Sequence, residues 1–259
     1  MKTYLEEKIN NPELFTGRKK ELAYFSQWID RIRRGLSKST AILSRRKTGK
    51  TALLQRLFNL IFEKNSGVVP FYIEVREASQ WFGDFSENFL LTYACQYIAF
   101  KTRKPGYISY WETYTLEDVE EIAREEGLDF LASRIMGVRK LQKQGKSDRM
   151  WDAVRETPRR VASNDGEYVI QMIDEFQFLS QFIYCDSEKT RNADYFIGSW
   201  MHTCEYRRSP LLVAGSWVGW LMDDLSSMLP GRFQHHYMKH LPEDESVEMI
   251  FRYALIGDT

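Results

Sequence analysis

Ser44-Arg45-Arg46-Lys47-Thr48-Gly49-Lys50-Thr51 matches the phosphate-binding pattern G-x-x-x-x-G-K-[ST] at every fixed position but the first, where serine replaces glycine. Residues of these types at this spacing suit one chemistry. Backbone N–H groups of a tight loop, together with the N-terminus of the helix that follows, surround an anionic phosphate. Ser44, Arg45, Arg46, Lys47, Thr48 and Gly49 would form that cradle. Lys50 would set its ammonium on the β- and γ-phosphates, and the Thr51 hydroxyl would be an oxygen ligand of Mg²⁺. The glycine normally found first permits backbone dihedrals that are costly elsewhere. Serine is small, so the loop is expected to close.

A second set lies 123 residues beyond Thr51. The apolar run Tyr168 to Ile173 leads straight into Asp174-Glu175. Carboxylates at the carboxyl end of a strand lie where open α/β sheets bind ligands. Asp174 would hold Mg²⁺, directly or through water, and Glu175 would be the general base for an attacking water. Gln177 either orients that water or is an ordinary helix-surface residue. Ser216 ends the apolar run Leu211 to Gly215. It either stands between the carboxylates and the γ-phosphate or caps the next helix.

These residues need a scaffold of strands whose ends converge. Ala41-Ile42-Leu43 reads as a buried strand entering the loop. The helix after the loop places Leu54, Leu57, Phe58 and Ile61 on one face. Residues 68–75, 168–173 and 211–215 predict three more buried strands. Gly67 is the expected C′ residue of the loop helix. Helical spacing is predicted over 21–34, 85–102 and 196–206. Residues 115–160 are charge-rich and helical, opening with a capping box at Thr115 and Asp118. They form either an inserted subdomain or two ordinary layer helices with a long connection. Alternating strands and helices predict an α/β chain with a parallel central sheet and helices on both faces.

Composition narrows the alternatives. The chain has 259 residues, 43% of them hydrophobic, enough for one large domain. Net charge is zero, which gives no support to nucleic acid as a partner. Cys95, Cys185 and Cys204 form no C-x-x-C pair. A leader-like N-terminus and a roughly 20-residue apolar run are both missing, so no membrane association and a cytoplasmic location are expected. His235, His236 and His240 could set an i, i+4 metal pair on a helix, or a solvated basic face. Gly215-Ser216-Trp217-Val218-Gly219 has the wrong frame for a nucleophile elbow. The tryptophans are expected in core or interface positions rather than as base-stacking platforms.

With these motifs placed, the chain resembles the archaeal-type AAA+ ATPases related to the STAND signalling ATPases. The likeness rests on Leu14-Phe15-Thr16-Gly17-Arg18-Lys19-Lys20-Glu21-Leu22, on the arginine-bearing loop, on Asp174-Glu175-Phe176-Gln177, and on Gly215-Ser216 followed by Leu229-Pro230-Gly231-Arg232. It implies a three-layer P-loop NTPase of AAA+ type with a helical insertion at 103–160. It further implies a core over 1–242 and the start of a lid, cut short, over 243–259. Phe15, Gly17 and Arg18 would border the adenine or anchor the first helix. Arg232 would stand near the nucleotide or at a subunit interface; as plain sequence it is a surface arginine after a Pro-Gly turn. The resemblance implies ATP and Mg²⁺ as cofactors, hydrolysis of ATP to ADP, and a protein partner or self-association. A non-catalytic nucleotide switch and a DNA-associated loader are the rival expectations.

Overall fold

The computed structural model describes residues 2–216 and 218–257. Its first regular helix is α1 (Lys19–Ile32), which buries Phe25, Trp28, Ile29 and Ile32. The strand β1 (Thr40–Leu43) and the helix α2 (Lys50–Lys64) flank the phosphate-type loop. Next come β2 (Val68–Glu74), the short β3 (Gln80–Trp81) and the long α3 (Phe82–Thr102). The charge-rich stretch folds as α4 (Leu116–Glu125), α5 (Asp129–Lys143) and α6 (Ser147–Asn164). The remainder is β4 (Tyr168–Asp174), α7 (Phe178–Gln181), β5 (Ile183–Tyr184), β6 (Leu211–Gly215), α8 (Val218–Met228), β7 (Gln234–Tyr237) and α9 (Glu243–Gly257).

Among the described residues the main sheet has five strands in the order β2-β4-β6-β1-β7, and every pairing is parallel. All residues of β1 and β6 are buried, as are nearly all of β2 and β4. Burial of both alternating sets means that both faces are covered, so the sheet is the middle of three layers. Register brings the strand ends together. Leu43 pairs with Gly215, and Glu74 pairs with Asp174. Ser44, Asp174 and Ser216 therefore leave the same edge of the sheet.

Several sequence expectations are adjusted. The capping box forms, with Thr115 N–H donating to Asp118 at 2.8 Å and Asp118 N–H donating to the Thr115 hydroxyl at 3.3 Å. The left-handed residue that closes α2 is Asn65 rather than Gly67, because the helix stops at Lys64. Residues 196–206 make two short 3-10 turns, Phe196–Trp200 and Thr203–Glu205, instead of a helix. His235 and His236 lie on strand β7, so the helical i, i+4 spacing does not exist. The His236 ring packs on Tyr24 and Phe25, with centroids 4.4 and 5.0 Å away. Trp151 and Trp200 are core residues. Trp220 is exposed, and Trp217 lies outside the described residues. No helix among the described residues is long and apolar enough to cross a membrane.

The N-terminal residues hold an unforeseen position. Residues 4–12 run as a strap along the outer face of α2, burying its polar Gln55, Arg56 and Asn59. The Asn59 side chain accepts from the Tyr4 and Leu5 N–H groups at 2.9 and 2.8 Å and donates to the Leu5 carbonyl at 3.0 Å. Arg56 donates to Glu7 at 2.8 Å and to the Pro12 carbonyl at 2.7 Å. An amphipathic pattern cannot reveal this second covered face, since its residues are polar.

Candidate functional site

The loop closes without glycine at its first position because Ser44 does not adopt a positive φ. The left-handed residues are Lys47 and Gly49, at φ 62° and 83°. The Ser44 hydroxyl donates to Thr48 Oγ1 at 2.7 Å, and that hydroxyl donates to the Arg45 carbonyl at 2.9 Å. Serine thus braces the turn that glycine would merely permit. Lys50 Nζ donates to the Ser44 and Arg45 carbonyls at 3.1 and 2.8 Å. Burial lowers the pKa of this ammonium, while Glu175 and Asp174 pull the other way. Arg45, Arg46 and Lys47 are exposed, and Arg46 faces Glu77 at 3.9 Å.

The two distant segments meet at a hydrogen bond. Thr51 Oγ1 donates to Asp174 Oδ2 at 2.6 Å, and the Glu175 N–H donates to Asp174 Oδ1 at 3.0 Å. Tyr72 OH donates to Asp174 Oδ2 from 3.4 Å. Asp174 is fully buried, and burial pushes its pKa up to about 6, with the Glu175 and Glu74 carboxylates adding to the shift. A hydroxyl and a buried carboxylate among further acidic groups are hard oxygen donors, which fit Mg²⁺. Among the described residues no cluster of three or more His, Cys, Asp or Glu side chains is arranged to hold a metal.

Glu175 sits in the left-handed region at φ 52°, a strained conformation for this residue type. Its neighbour Phe176 is fully buried and packs on Trp200 and Phe233, at centroid distances of 5.7 and 6.4 Å. The carboxylate accepts from Ser216 Oγ at 2.9 and 3.2 Å and from Gln177 Nε2 at 2.5 Å. Gln177 is fully buried, so it is not a helix-surface residue. A Cβ on Gly215 would stand 2.3 Å from Gln177 Oε1. The glycine therefore leaves the space that Gln177 fills.

Three cavities among the described residues border the loop, one of them of about 640 Å³ and lined by Arg46, Lys47, Tyr72, Glu175 and Ser216 among others. A second, of about 320 Å³, is lined by Lys8, Ile9, loop residues from Lys47 to Thr51, Glu175 and Ser216. Another, also about 320 Å³, is lined by Ile9, Phe15, Arg18, Leu241 and Met249 among others. Arg18 is buried and ties three segments together. Its guanidinium donates to the Thr48 carbonyl at 2.6 Å and to the Lys239 carbonyl at 2.7 Å, while its N–H donates to Glu245 at 2.7 Å. Gly17 has φ 74°, and a Cβ there would meet Glu245 Oε2 at 2.6 Å. The Phe15 ring lies under the Arg56 guanidinium at 4.4 Å.

Arg232 does not join this site. It precedes β7, whose Gln234 N–H donates to the Ser39 carbonyl at 2.9 Å, and β7 runs parallel to β1. Arg232 is therefore at the amino end of the strands, one strand length from the loop, where it pairs with Glu205. Sequence reasoning missed Lys8, Ile9 and Met249. No local motif marks them, because the strap and α9 reach the cavities only through tertiary packing.

No family model and no curated protein sequence matches this chain. Solved structures do. The Walker-type ATPase of Pyrococcus abyssi superposes with a TM-score of 0.53 at 14% identity, over 95% of this chain and 59% of that one. The Aeropyrum pernix ORC2 protein in its ADP form gives a TM-score of 0.45 at 17% identity, over 95% of this chain and 54% of that one. The chain thus spans less than two thirds of the length of either. The first likeness, with the parallel sheet, assigns the P-loop NTPase fold.

Proposed function

We propose that the chain binds ATP with Mg²⁺ and hydrolyses it, as an ATPase of the archaeal AAA+ kind. The observation that carries this reading is the 2.6 Å bond from Thr51 to Asp174, which joins the two motifs at one cavity edge. The loop N–H groups and the N-terminus of α2 receive the phosphates. Lys50 faces the β- and γ-phosphates, Phe15 and Arg18 border the nucleoside cavity, and Gly17 anchors the segment between them against Glu245. Mg²⁺, when bound, would be held by Thr51 and Asp174 and would supply positive charge to the phosphate oxygens. Glu175 takes a proton from the attacking water, and Ser216 and Gln177 orient its carboxylate. Most of the rate effect then comes from positioning and preorganised charge.

The domain reading belongs to the same proposal: a nucleotide-binding core over 1–242, with 103–160 as an insertion, and a lid beginning at 243. Arg232, remote from this chain's own loop, is proposed to serve a subunit interface. Calorimetry with ATP and Mg²⁺ tests the reading. Lys50→Ala abolishes binding, whereas Glu175→Gln binds ATP and loses hydrolysis. Equal ATP affinity in wild type and Lys50→Ala would remove the proposal.

A non-catalytic switch is the second reading. It draws on the restraint of Glu175 by both Ser216 and Gln177, which also suits a base held at rest. Single-turnover phosphate release separates the two: release by the isolated chain supports the enzyme, and its absence supports the switch.

A further inference from the structure

The strap brings a cation to the phosphate-side cavity that neither motif contains. Lys8 lines that cavity together with Lys47, Lys50, Thr51, Glu175 and Ser216. Its neighbour Ile9 lines both the phosphate-side and the nucleoside-side cavities, whereas Lys8 lines only the former of the two. The chain direction therefore aims Lys8 at the polyphosphate end. Its backbone N–H is fixed by Gln55 at 2.8 Å, one turn along α2 from Thr51. Its ammonium rests on Glu74 Oε1 at 2.6 Å. Glu74 is the register partner of Asp174, so that ammonium stands one strand away from the Thr51–Asp174 pair.

We propose that Lys8 is a further phosphate-binding cation, delivered within the same chain by the N-terminal strap. The inference rests on the reading of this site as a nucleotide site. The Lys8–Glu74 pair is open to water, with side-chain exposures of 59% and 35%, and such pairs hold weakly. A polyphosphate in the cavity carries more charge in a less hydrated setting. It draws the ammonium off Glu74, and the flexible four-carbon stem allows the move. The strap itself does not depend on the Lys8 side chain, because Asn59, Gln55 and Arg56 hold it through backbone groups and Glu7.

The test is ATP affinity by calorimetry on Lys8→Met, Lys8→Arg, Glu74→Gln and Lys50→Ala, with thermal melting of each protein without nucleotide. Lys8→Met is expected to weaken ATP binding about tenfold, with an unchanged melting temperature. Lys8→Arg restores affinity to within about threefold, and Glu74→Gln binds ATP at least as tightly as wild type. Wild-type affinity in Lys8→Met, with binding abolished in Lys50→Ala, overturns the role of Lys8 and leaves the nucleotide site standing. Wild-type affinity in both, or no binding by wild type, overturns both. Weakened binding accompanied by a lowered melting temperature assigns Lys8 to the fold of the strap and overturns the proposal.

Discussion

Glu175 is held through both its backbone and its side chain. Its backbone is left-handed, and its carboxylate accepts from Ser216 and Gln177. The quality of that hold depends on an absence, the missing Cβ of Gly215. Gly215→Ala is expected to displace Gln177 and remove one of the bonds on Glu175. ATP affinity should then change by less than about threefold, while turnover falls about tenfold or more, the scale on which a positioned base acts. Steady-state hydrolysis and calorimetry on the same variant check this. Lost ATP binding would show that Gly215 serves the loop rather than the base. Ser44 teaches a related lesson. The departure from the motif costs no strained dihedral, because the positive φ values fall at Lys47 and Gly49.

At the scale of elements, β7 and α1 meet through His236. Burial lowers the pKa of this imidazole, against an opposing pull from Glu21, and Nε2 has no hydrogen-bond partner among the described residues. Its folded pKa thus lies below the ordinary value of about 6.5. The unfolded chain takes up the proton first as pH falls. The contribution of this contact to stability is therefore complete above about pH 6.5 and is lost as pH falls through that value and below it. Urea unfolding of wild type and His236→Gln at pH 7.5 and 5.5 measures the effect. Wild type should lose more stability than the variant between the two pH values; equal losses would dismiss the contact as a pH-dependent one. The packing of His236 on α1 was not evident beforehand. A His-His pair looks polar on any helix, and only a strand sends its two rings to opposite faces.

Across the whole molecule, the N-terminal strap and α9 close the site from either side. The strap is fastened by Glu7, whose buried carboxylate meets Arg56 at 2.8 Å and accepts from Asn59 Nδ2 at 2.9 Å. Glu7→Ala leaves Arg56 and Asn59 short of that partner. The expected cost is on the order of 3 kcal/mol, the range for breaking a buried pair from one side. Because the strap carries Lys8 and Ile9 into the cavities, ATP affinity should fall as well. Chemical denaturation and calorimetry would show both losses. A stability change below about 0.5 kcal/mol, the range of ordinary surface substitutions, would mean that the strap is not fastened there. Arg18 plays the matching part on the other side, joining the Thr48 carbonyl, Lys239 and, through its backbone, Glu245 of α9.

By itself the sequence determined the phosphate-type loop, the acidic pair, the α/β class and four of the five main-sheet strands. Each of these is written locally, in apolar runs of strand length and in residue types at fixed spacing. It also drew attention to Gln177 and Ser216 without deciding between their roles. Tertiary structure brought both side chains onto the Glu175 carboxylate. Strand pairing β4–β6–β1 set Asp174, Ser216 and Ser44 on one edge, and parallel pairing of β7 with β1 sent Arg232 to the opposite end. It alone turned the polar side of α2 inward, because hydrogen bonds to a distant strap let Gln55, Arg56 and Asn59 be buried, and no periodicity of hydrophobic residues records such a partner.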